Sequence, residues 1–299
     1  MQDLTQKTGF IALVGRPNVG KSTILNTVLG EKIAAVSRKP QTTRTSITGI
    51  LTKGSRQYVF LDTPGVHKPR TKLGDMMMKS VGTATTDVCL VLLVVEPLAQ
   101  IHPIEQELME KFSKMGLPVV LLINKTDIYT PEDIIRTIDV FSKAFSFKAV
   151  IPLSGKTGDG VEIIFDEAEP YLEEAEWFFP ADQITDQPER TIAGEIIREK
   201  LLKLLDKEIP HGIAVVIEDF KETNKLIDIR AEIYCEKASH KKIIIGRDGA
   251  MLKKVGSFAR EDLEAFFGVH VNINLWVKVK ENWRDNENLL TTLGFNSKD

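Results

Sequence analysis

The sequence predicts an α/β doubly wound domain with a mostly parallel sheet, followed by a smaller α+β domain. Three observations carry the prediction. Apolar runs of strand length alternate with amphipathic stretches from residue 10 to about 172, the pattern of a parallel sheet covered on both faces. A Gly-rich turn directly follows the first of these runs, and beyond residue 190 the order of elements changes. At roughly 100 to 200 residues per domain, 299 residues suggest two domains.

The first strand is Phe10, Ile11, Ala12, Leu13 and Val14, and residues 22–29 follow as a helix. Residues 47–51 and 57–61 face each other across Gly54 and Ser55, which reads as a hairpin placing an antiparallel strand at the sheet edge. Residues 88–95 and 117–123 are the longest aliphatic runs, far short of the ~20 apolar residues a membrane-spanning helix needs. Thr130 caps a helix with Pro131 in its first turn, and residues 149–153 close the series of strands.

Residues 173–189 contain six acidic residues and no Lys or Arg, punctuated by Pro180 and Pro188. This reads as an interdomain linker over 175–190, separating a domain of residues 1–174 from one of residues 191–299. Trp177, Phe178 and Phe179 are expected to pin it to one domain, since three adjacent aromatics in solvent would be an unusual patch. Beyond it, residues 192–205 are helical by spacing and residues 213–220 and 226–236 form a strand pair. Residues 241–245 lead into a Gly-rich turn, residues 250–267 are helical, and residues 269–279 alternate as a strand, for the order α-β-β-α-α-β.

Composition excludes several classes. Hydrophobic residues at 42% and charged residues at 27% are ordinary globular usage, and 13 Pro with 20 Gly exclude collagen-like or low-complexity character. A net charge of -3 argues against a uniformly basic nucleic-acid coat and leaves room for a local basic patch. The first ten residues lack a charged-then-apolar signal region, and Cys89 and Cys235 both sit in strand-like runs, so a reduced cytosolic protein is expected.

Residues 15–22 match G-x-x-x-x-G-K-[ST] between a strand and a helix, which is the setting this motif requires. Gly15, Asn18, Val19 and Gly20 would turn backbone N–H groups toward a triphosphate, and the helix opened by Ser22 and Thr23 adds its positive end. Lys21 would bridge the β- and γ-phosphates and Ser22 would take one Mg²⁺ position. Asp62 ends a strand, where it can hold a Mg²⁺-bound water, and the Gly65 N–H can sense the γ-phosphate. Asp127, in the run Asn124, Lys125, Thr126, Asp127, can accept from N1–H and the 2-amino group of guanine, a donor pair adenine lacks, so GTP is favoured over ATP. The Lys125 stem can cover the base, Asn124 can tie this loop to the phosphate loop, and a backbone N–H within Ser154, Gly155 and Lys156 can reach guanine O6.

With these motifs in this order, residues 10 to about 172 resemble the G domain of the small translation-factor-related GTPases. The resemblance implies a first switch at Gln41, Thr42, Thr43 and Arg44, in which one threonine meets Mg²⁺; Thr43 is favoured over Thr42. Many small GTPases carry a water-orienting Gln after the second-switch Gly, but Val66 stands there, which implies slow intrinsic hydrolysis, on the order of 10⁻⁴ to 10⁻² per second. Members of this group with the same phosphate-loop form use K⁺ as an added positive charge, and Asn18 would contact it.

In the second domain, Gly246, Arg247, Asp248 and Gly249 form a G-x-x-G loop between two helices, as in KH modules, where such a loop clamps about four nucleotides. From Lys237 to Lys254 six basic residues face one acid, and Lys241, Lys242, Ile245, Arg247, Lys253 and Lys254 join the loop as candidate RNA contacts. Phe258, Phe266 and Phe267 recur at helical spacing and are expected in the core; Trp276 and Trp283 can stack bases or close the core. His240 and His270 lack metal-ligand partners at useful spacing, so no zinc site is expected.

A P-loop GTPase domain followed by a type II KH domain resembles the Era family of bacterial ribosome-assembly GTPases over nearly the whole chain. The resemblance implies a GTP- and GDP-binding monomer that binds 16S ribosomal RNA near its 3′ end, assists small ribosomal subunit assembly and associates peripherally with the cytoplasmic face of the inner membrane. Two rivals stay open on the residues alone: an RNA-modification GTPase, against which the C-terminal part lacks a Cys or carboxylate pair in a cofactor-like setting, and a GTPase whose C-terminal domain docks a protein or membrane.

Overall fold

The computed structural model describes residues 5–37, 39, 42–66, 72–85, 87–205 and 209–293. Gln41, expected in the first switch, lies outside them. The chain divides into two compact units: residues 1–33, 43–68 and 77–186, and residues 34–42, 69–76 and 187–299.

The first unit is built on a sheet entered by β1 (Lys7–Val14), which feeds α1 (Lys21–Leu29). The hairpin β2 (Ile47–Lys53) and β3 (Arg56–Asp62) turns at Gly54, whose φ of 60° is the left-handed conformation such a turn asks for. Then come α2 (Lys72–Thr83), β4 (Leu90–Val95), α3 (Pro103–Met115), β5 (Val119–Asn124), α4 (Pro131–Ala144), β6 (Val150–Leu153), α5 (Ile163–Ala168) and the two-residue β7 (Glu173–Glu174). Strand order is β2-β3-β1-β4-β5-β6, with β2 antiparallel at the edge and the five others mutually parallel. The near-continuous apolar runs are the reason: β4 and β5 are buried along their whole length, which only a sheet sandwiched between helix layers permits. The Thr130 hydroxyl accepts from the Asp133 N–H, and Pro131 follows it at the start of α4.

The acidic stretch expected as a linker over 175–190 is, through Thr185, attached to the first unit. Glu173 and Glu174 pair antiparallel with β1, and the Ala175 N–H donates to Gln6. Gln57 makes two hydrogen bonds to the Phe179 backbone, the Ile50 N–H donates to the Ile184 carbonyl, and Thr185 Oγ1 donates to Thr48. Phe178 stacks on Phe10 at 4.8 Å and Trp177 Nε1 donates to the Ser55 carbonyl, so the aromatics do pin the strap. The hairpin offers backbone and Gln57 partners to this segment, which its charge pattern does not reveal.

The second unit runs α6 (Glu189–Leu204), β8 (Ala214–Thr223), β9 (Leu226–Cys235), α7 (Ala238–Ile245), α8 (Ala250–Phe267) and β10 (His270–Val279), closed by a single 3₁₀ turn and α9 (Glu287–Thr292). This is the expected α-β-β-α-α-β order. Strand order is β10-β9-β8, with β9 parallel to β10 and antiparallel to β8, and α6 packs on α8 and β8. The core joins Ile192, Ile196, Ile197 and Leu201 of α6 to Ile229, Ala231 and Ile233 of β9 and to Val255, Ala259 and Leu263 of α8.

Aromatic residues sort by face. Phe266 and Phe267 pack against the core, and Phe267 meets Phe220 edge-on at 5.9 Å. Phe258, expected in the core, is 39% exposed instead: it follows the exposed Lys254 by four positions, on a stripe flanking that of Val255 and Ala259. Trp283 is fully buried and donates its Nε1 proton to the Gly212 carbonyl at 3.0 Å, so it closes the core. Trp276 faces solvent at 49% exposure.

Candidate functional site

The nucleotide motifs converge because parallel strands deliver their carboxyl ends to one edge of the sheet. β1 ends in the phosphate loop, β3 ends in Asp62, β5 ends in Asn124, and β6 leads into Ser154 and Gly155. Gly20 takes φ 103°, and a Cβ there would stand 2.1 Å from Asn124 Nδ2. Only glycine leaves room for the tie that Asn124 makes: Nδ2 donates to the Val19 carbonyl at 2.7 Å, and Oδ1 accepts from the Gly155 N–H at 2.9 Å. One side chain thus joins the phosphate loop to both base-side loops.

Around the phosphate position, Ser22 Oγ donates to Asp62 Oδ2 at 2.6 Å and lies 2.8 Å from Thr43 Oγ1. Asp62 is fully buried, and its Oδ1 has no hydrogen-bond partner among the described residues. Two hydroxyls and a carboxylate with a spare buried oxygen form the hard-oxygen donor set that suits Mg²⁺, so these residues fit the ion. Burial pushes the Asp62 carboxyl up to about 6 against the pull of Lys21 and the hydroxyls of Ser22 and Thr43. Burial likewise draws the Lys21 ammonium down to about 8, opposed by Asp62. Lys21 Nζ meanwhile donates to the carbonyls of Gly15 and Arg16 at 3.2 and 3.1 Å.

Thr43, the favoured threonine, stands with Ser22 and Asp62. Thr42 is bonded within the second unit: its Oγ1 donates to the Lys39 carbonyl at 2.6 Å, and its own carbonyl accepts from Arg198. Gly65 approaches the phosphate loop so closely that a Cβ would lie 2.6 Å from Pro17 Cα, and the Val66 N–H donates to the Gly15 carbonyl at 3.2 Å. The Val66 side chain packs against the core formed by β4 and β5.

On the base side, Asp127 Oδ1 accepts from Ser154 Oγ at 2.9 Å, and Lys156 Nζ lies 3.8 Å from its Oδ2. Lys125 adopts φ 74° and pairs with Glu96. Thr27 of α1 donates to the Gly155 carbonyl at 2.5 Å, a contact that no motif announces. Asn18 also takes a left-handed φ, 66°, at the crown of the phosphate loop, with Thr23 in the first turn of α1 behind it.

In the second unit Gly246 and Gly249 adopt φ 75° and 77° and Asp248 takes φ 50°, so the G-x-x-G loop is a sharp left-handed corner between α7 and α8. A Cβ on Gly246 would reach 2.7 Å from Met251 Cβ, whereas Gly249 faces open space. Ile245 is half-buried against the core while Lys242, Arg247, Lys253 and Lys254 are exposed and Lys241 is partly so. Beside the loop lies a groove of about 440 Å³ between α8 and β10, floored by Leu252, Ile273 and Leu275 and rimmed by Gly249, Lys253, Ser257, Arg260 and Asn272. Ser257, Arg260 and Asn272 are the polar groove residues sequence reasoning missed, as it did the apolar floor. The signal was present in part, because 253, 257 and 260 share one helix face.

Fold and site together define a guanine-nucleotide-dependent P-loop GTPase joined to a KH module. Family models agree: the one described as 50S ribosome-binding GTPase matches residues 10–125, and the KH domain model matches residues 208–284. GTPase Era of Ruminiclostridium cellulolyticum is 46% identical over 293 residues, covering 98% of each chain, and that of Caldanaerobacter subterraneus is 47% identical over 294 residues, covering 98% of this chain and 99% of its own. Among solved structures, Aquifex aeolicus Era bound to GDP·AlF4⁻ superposes with a TM-score of 0.92 at 34% identity over 97% of this chain and 99% of its own. Era in complex with MgGDPNP and nucleotides 1506–1542 of 16S ribosomal RNA gives 0.91, also at 34% identity and with the same coverage. The chain belongs to the Era family of GTPases.

Proposed function

We propose that this chain is a GTP-hydrolysing switch that binds 16S ribosomal RNA near its 3′ end through its KH module and assists small ribosomal subunit assembly. The observation that carries the reading is the pairing of two candidate sites in one chain: the Asn124-tied nucleotide-motif loops of the first unit and the glycine corner with its basic rim and apolar-floored groove in the second. A relative solved with MgGDPNP and that RNA supports the same pairing of ligands. Unstacked bases suit an apolar groove, and Lys253, Arg247 and Arg260 offer charge to the phosphates.

Mg²⁺, when bound, offsets charge developing on the β- and γ-phosphates. The chain supplies the rest: Ser22, Thr43 and Asp62 would hold the ion, in part through water, Lys21 would bridge the β- and γ-phosphates, and the Gly65 N–H would sense the γ-phosphate. Hydrolysis is slow, because Val66, partly buried against the core, has no polar group to orient water. Asn18, at the crown of the phosphate loop, would contact K⁺, so exchange of K⁺ for Na⁺ should lower the hydrolysis rate of the wild type and not of Asn18→Ala.

A cytoplasmic location goes with this reading. Peripheral membrane association rests on the family resemblance alone; no helix among the described residues is long and apolar enough to cross a membrane. An electrophoretic or fluorescence titration of a 3′-terminal 16S RNA fragment tests the proposal: a specific complex supports it, and binding no tighter than to a scrambled RNA overturns it.

A further inference from the structure

We propose that the connection from β4 into α3 is a two-carboxylate brace that orders both nucleotide-gripping loops before nucleotide arrives, Glu96 acting through Lys125 and Glu105 acting through Arg16. The inference rests on the reading of the site as one for guanine nucleotides. Neither glutamate belongs to a nucleotide motif.

Glu105 is the clearer half. Its side chain is 1% exposed, and both oxygens are used: Oε2 accepts from the His102 N–H at 2.9 Å, completing the cap of α3, and Oε1 accepts from Arg16 Nε at 2.6 Å. A carboxylate so buried, with each oxygen bonded, is a fixed post rather than a mobile surface group. Arg16 lies inside the phosphate loop, and its carbonyl accepts from Lys21 Nζ at 3.1 Å. Glu105 therefore fixes, through one arginine, the stretch of backbone against which the phosphate lysine rests.

Glu96 does the same on the base side. Lys125 takes φ 74°, a conformation disfavoured for lysine, and its ammonium is paired with Glu96, which fixes the far end of the side chain.

The strap between the glutamates is itself locked. The Leu98 N–H donates to the Glu96 carbonyl at 2.8 Å, and Ala99, at φ 49°, donates its N–H to the buried Thr137 hydroxyl of α4 at 2.8 Å. Two carboxylates beside a site for a polyanion would repel it if bare; each is instead paired with the loop residue it positions. The consequence is pre-organisation, which lowers the ordering cost of binding and leaves the chemical step alone. Base and proximal phosphates are common to GDP and GTP, so both affinities depend on the brace equally.

The test measures the Kd of a fluorescent GDP analogue and steady-state GTP hydrolysis for the wild type, Glu96→Gln, Glu105→Gln, Arg16→Gln and the Glu105→Gln/Arg16→Gln double variant. The exposed Glu107→Gln on α3 is the charge control. Glu96→Gln and Glu105→Gln should each raise the Kd for GDP and the KM for GTP together, by about 3- to 10-fold, with kcat unchanged. The double variant should be no weaker than the weaker single, since both changes break one link. Unchanged GDP affinity in Glu96→Gln and Glu105→Gln, or fold-losses that multiply in the double variant, would overturn the brace. Failure of the wild type to bind GDP would remove the reading of the site, and the brace with it.

Discussion

Asp62 and Lys21 show at the residue scale how stability is given up for a binding site. Asp62 titrates near 6 in the folded chain against an ordinary value of 3.8, so between these values the folded state keeps a proton that the unfolded chain has released. Stability of the nucleotide-free protein from this group therefore falls as pH rises through that window and stays reduced above it. Lys21, lowered to about 8 from 10.5, has the opposite slope: its contribution is reduced below pH 8 and recovers as pH rises toward 10.5. Near pH 7 both groups are charged, buried and costly. Asp62→Asn should accordingly raise the Tm of the nucleotide-free protein by about 2–4 °C at pH 7.5 while lowering kcat for GTP by about 100-fold or more. Thermal melts and single-turnover hydrolysis check both signs. At Gly20 the cost is steric instead, and Gly20→Ala should weaken GDP binding by about 100-fold, because its Cβ would displace Asn124 from the Val19 carbonyl. Equilibrium GDP titration reads this directly.

At the scale of elements, the second unit separates what holds it together from what it presents. Trp283 follows β10 in a short 3₁₀ turn, is fully buried, and bonds Gly212. Trp283→Ala should destabilise the unit by about 3–5 kcal/mol, seen as an earlier unfolding transition with GDP affinity retained. Gly249→Asp is different in kind: the site is open, so the variant folds, but it strains a φ of 77° and places a carboxylate at the corner where RNA phosphates would lie. RNA affinity should fall at least about tenfold with Tm changed by only a few degrees, as titration and melting would show. Strands and helices were legible here because the apolar spacing is strong: residues 226–236 alternate, and the helix beginning at 250 repeats its buried positions at 255, 259 and 263. Phe258 was misread because spacing alone does not say which stripe of a helix is the core stripe. The face was set by Val255 and Ala259, three positions before it and one after.

For the whole molecule, motif order carried more information than any single motif. Asp62, Asn124 and Ser154 are far apart in sequence, and each alone is an ordinary turn residue; the parallel sheet brings their strand ends to one edge. What sequence did not disclose were contacts made by groups without a pattern. The strap of residues 173–185 looked like a linker because its charges are visible and its backbone pairing with Gln6, Gln57 and Ile50 is not. The groove residues Arg260 and Asn272 likewise come from different elements, α8 and β10, whose approach only the fold decides. RNA binding by this module should be salt-sensitive: with about four phosphates neutralised, affinity should drop about 50-fold between 50 and 200 mM salt. A titration series checks the slope, and a flat dependence would point to an apolar protein partner instead.

The most direct measurement is binding of a 3′-terminal 16S ribosomal RNA fragment to the wild type and to Gly249→Asp, each loaded with a non-hydrolysable GTP analogue, with nucleotide affinity measured in parallel. The account predicts a specific complex for the wild type and at least about tenfold weaker RNA binding for the variant, with guanine nucleotide held equally by both. Equal RNA binding by the two proteins, or none by the wild type, would contradict it.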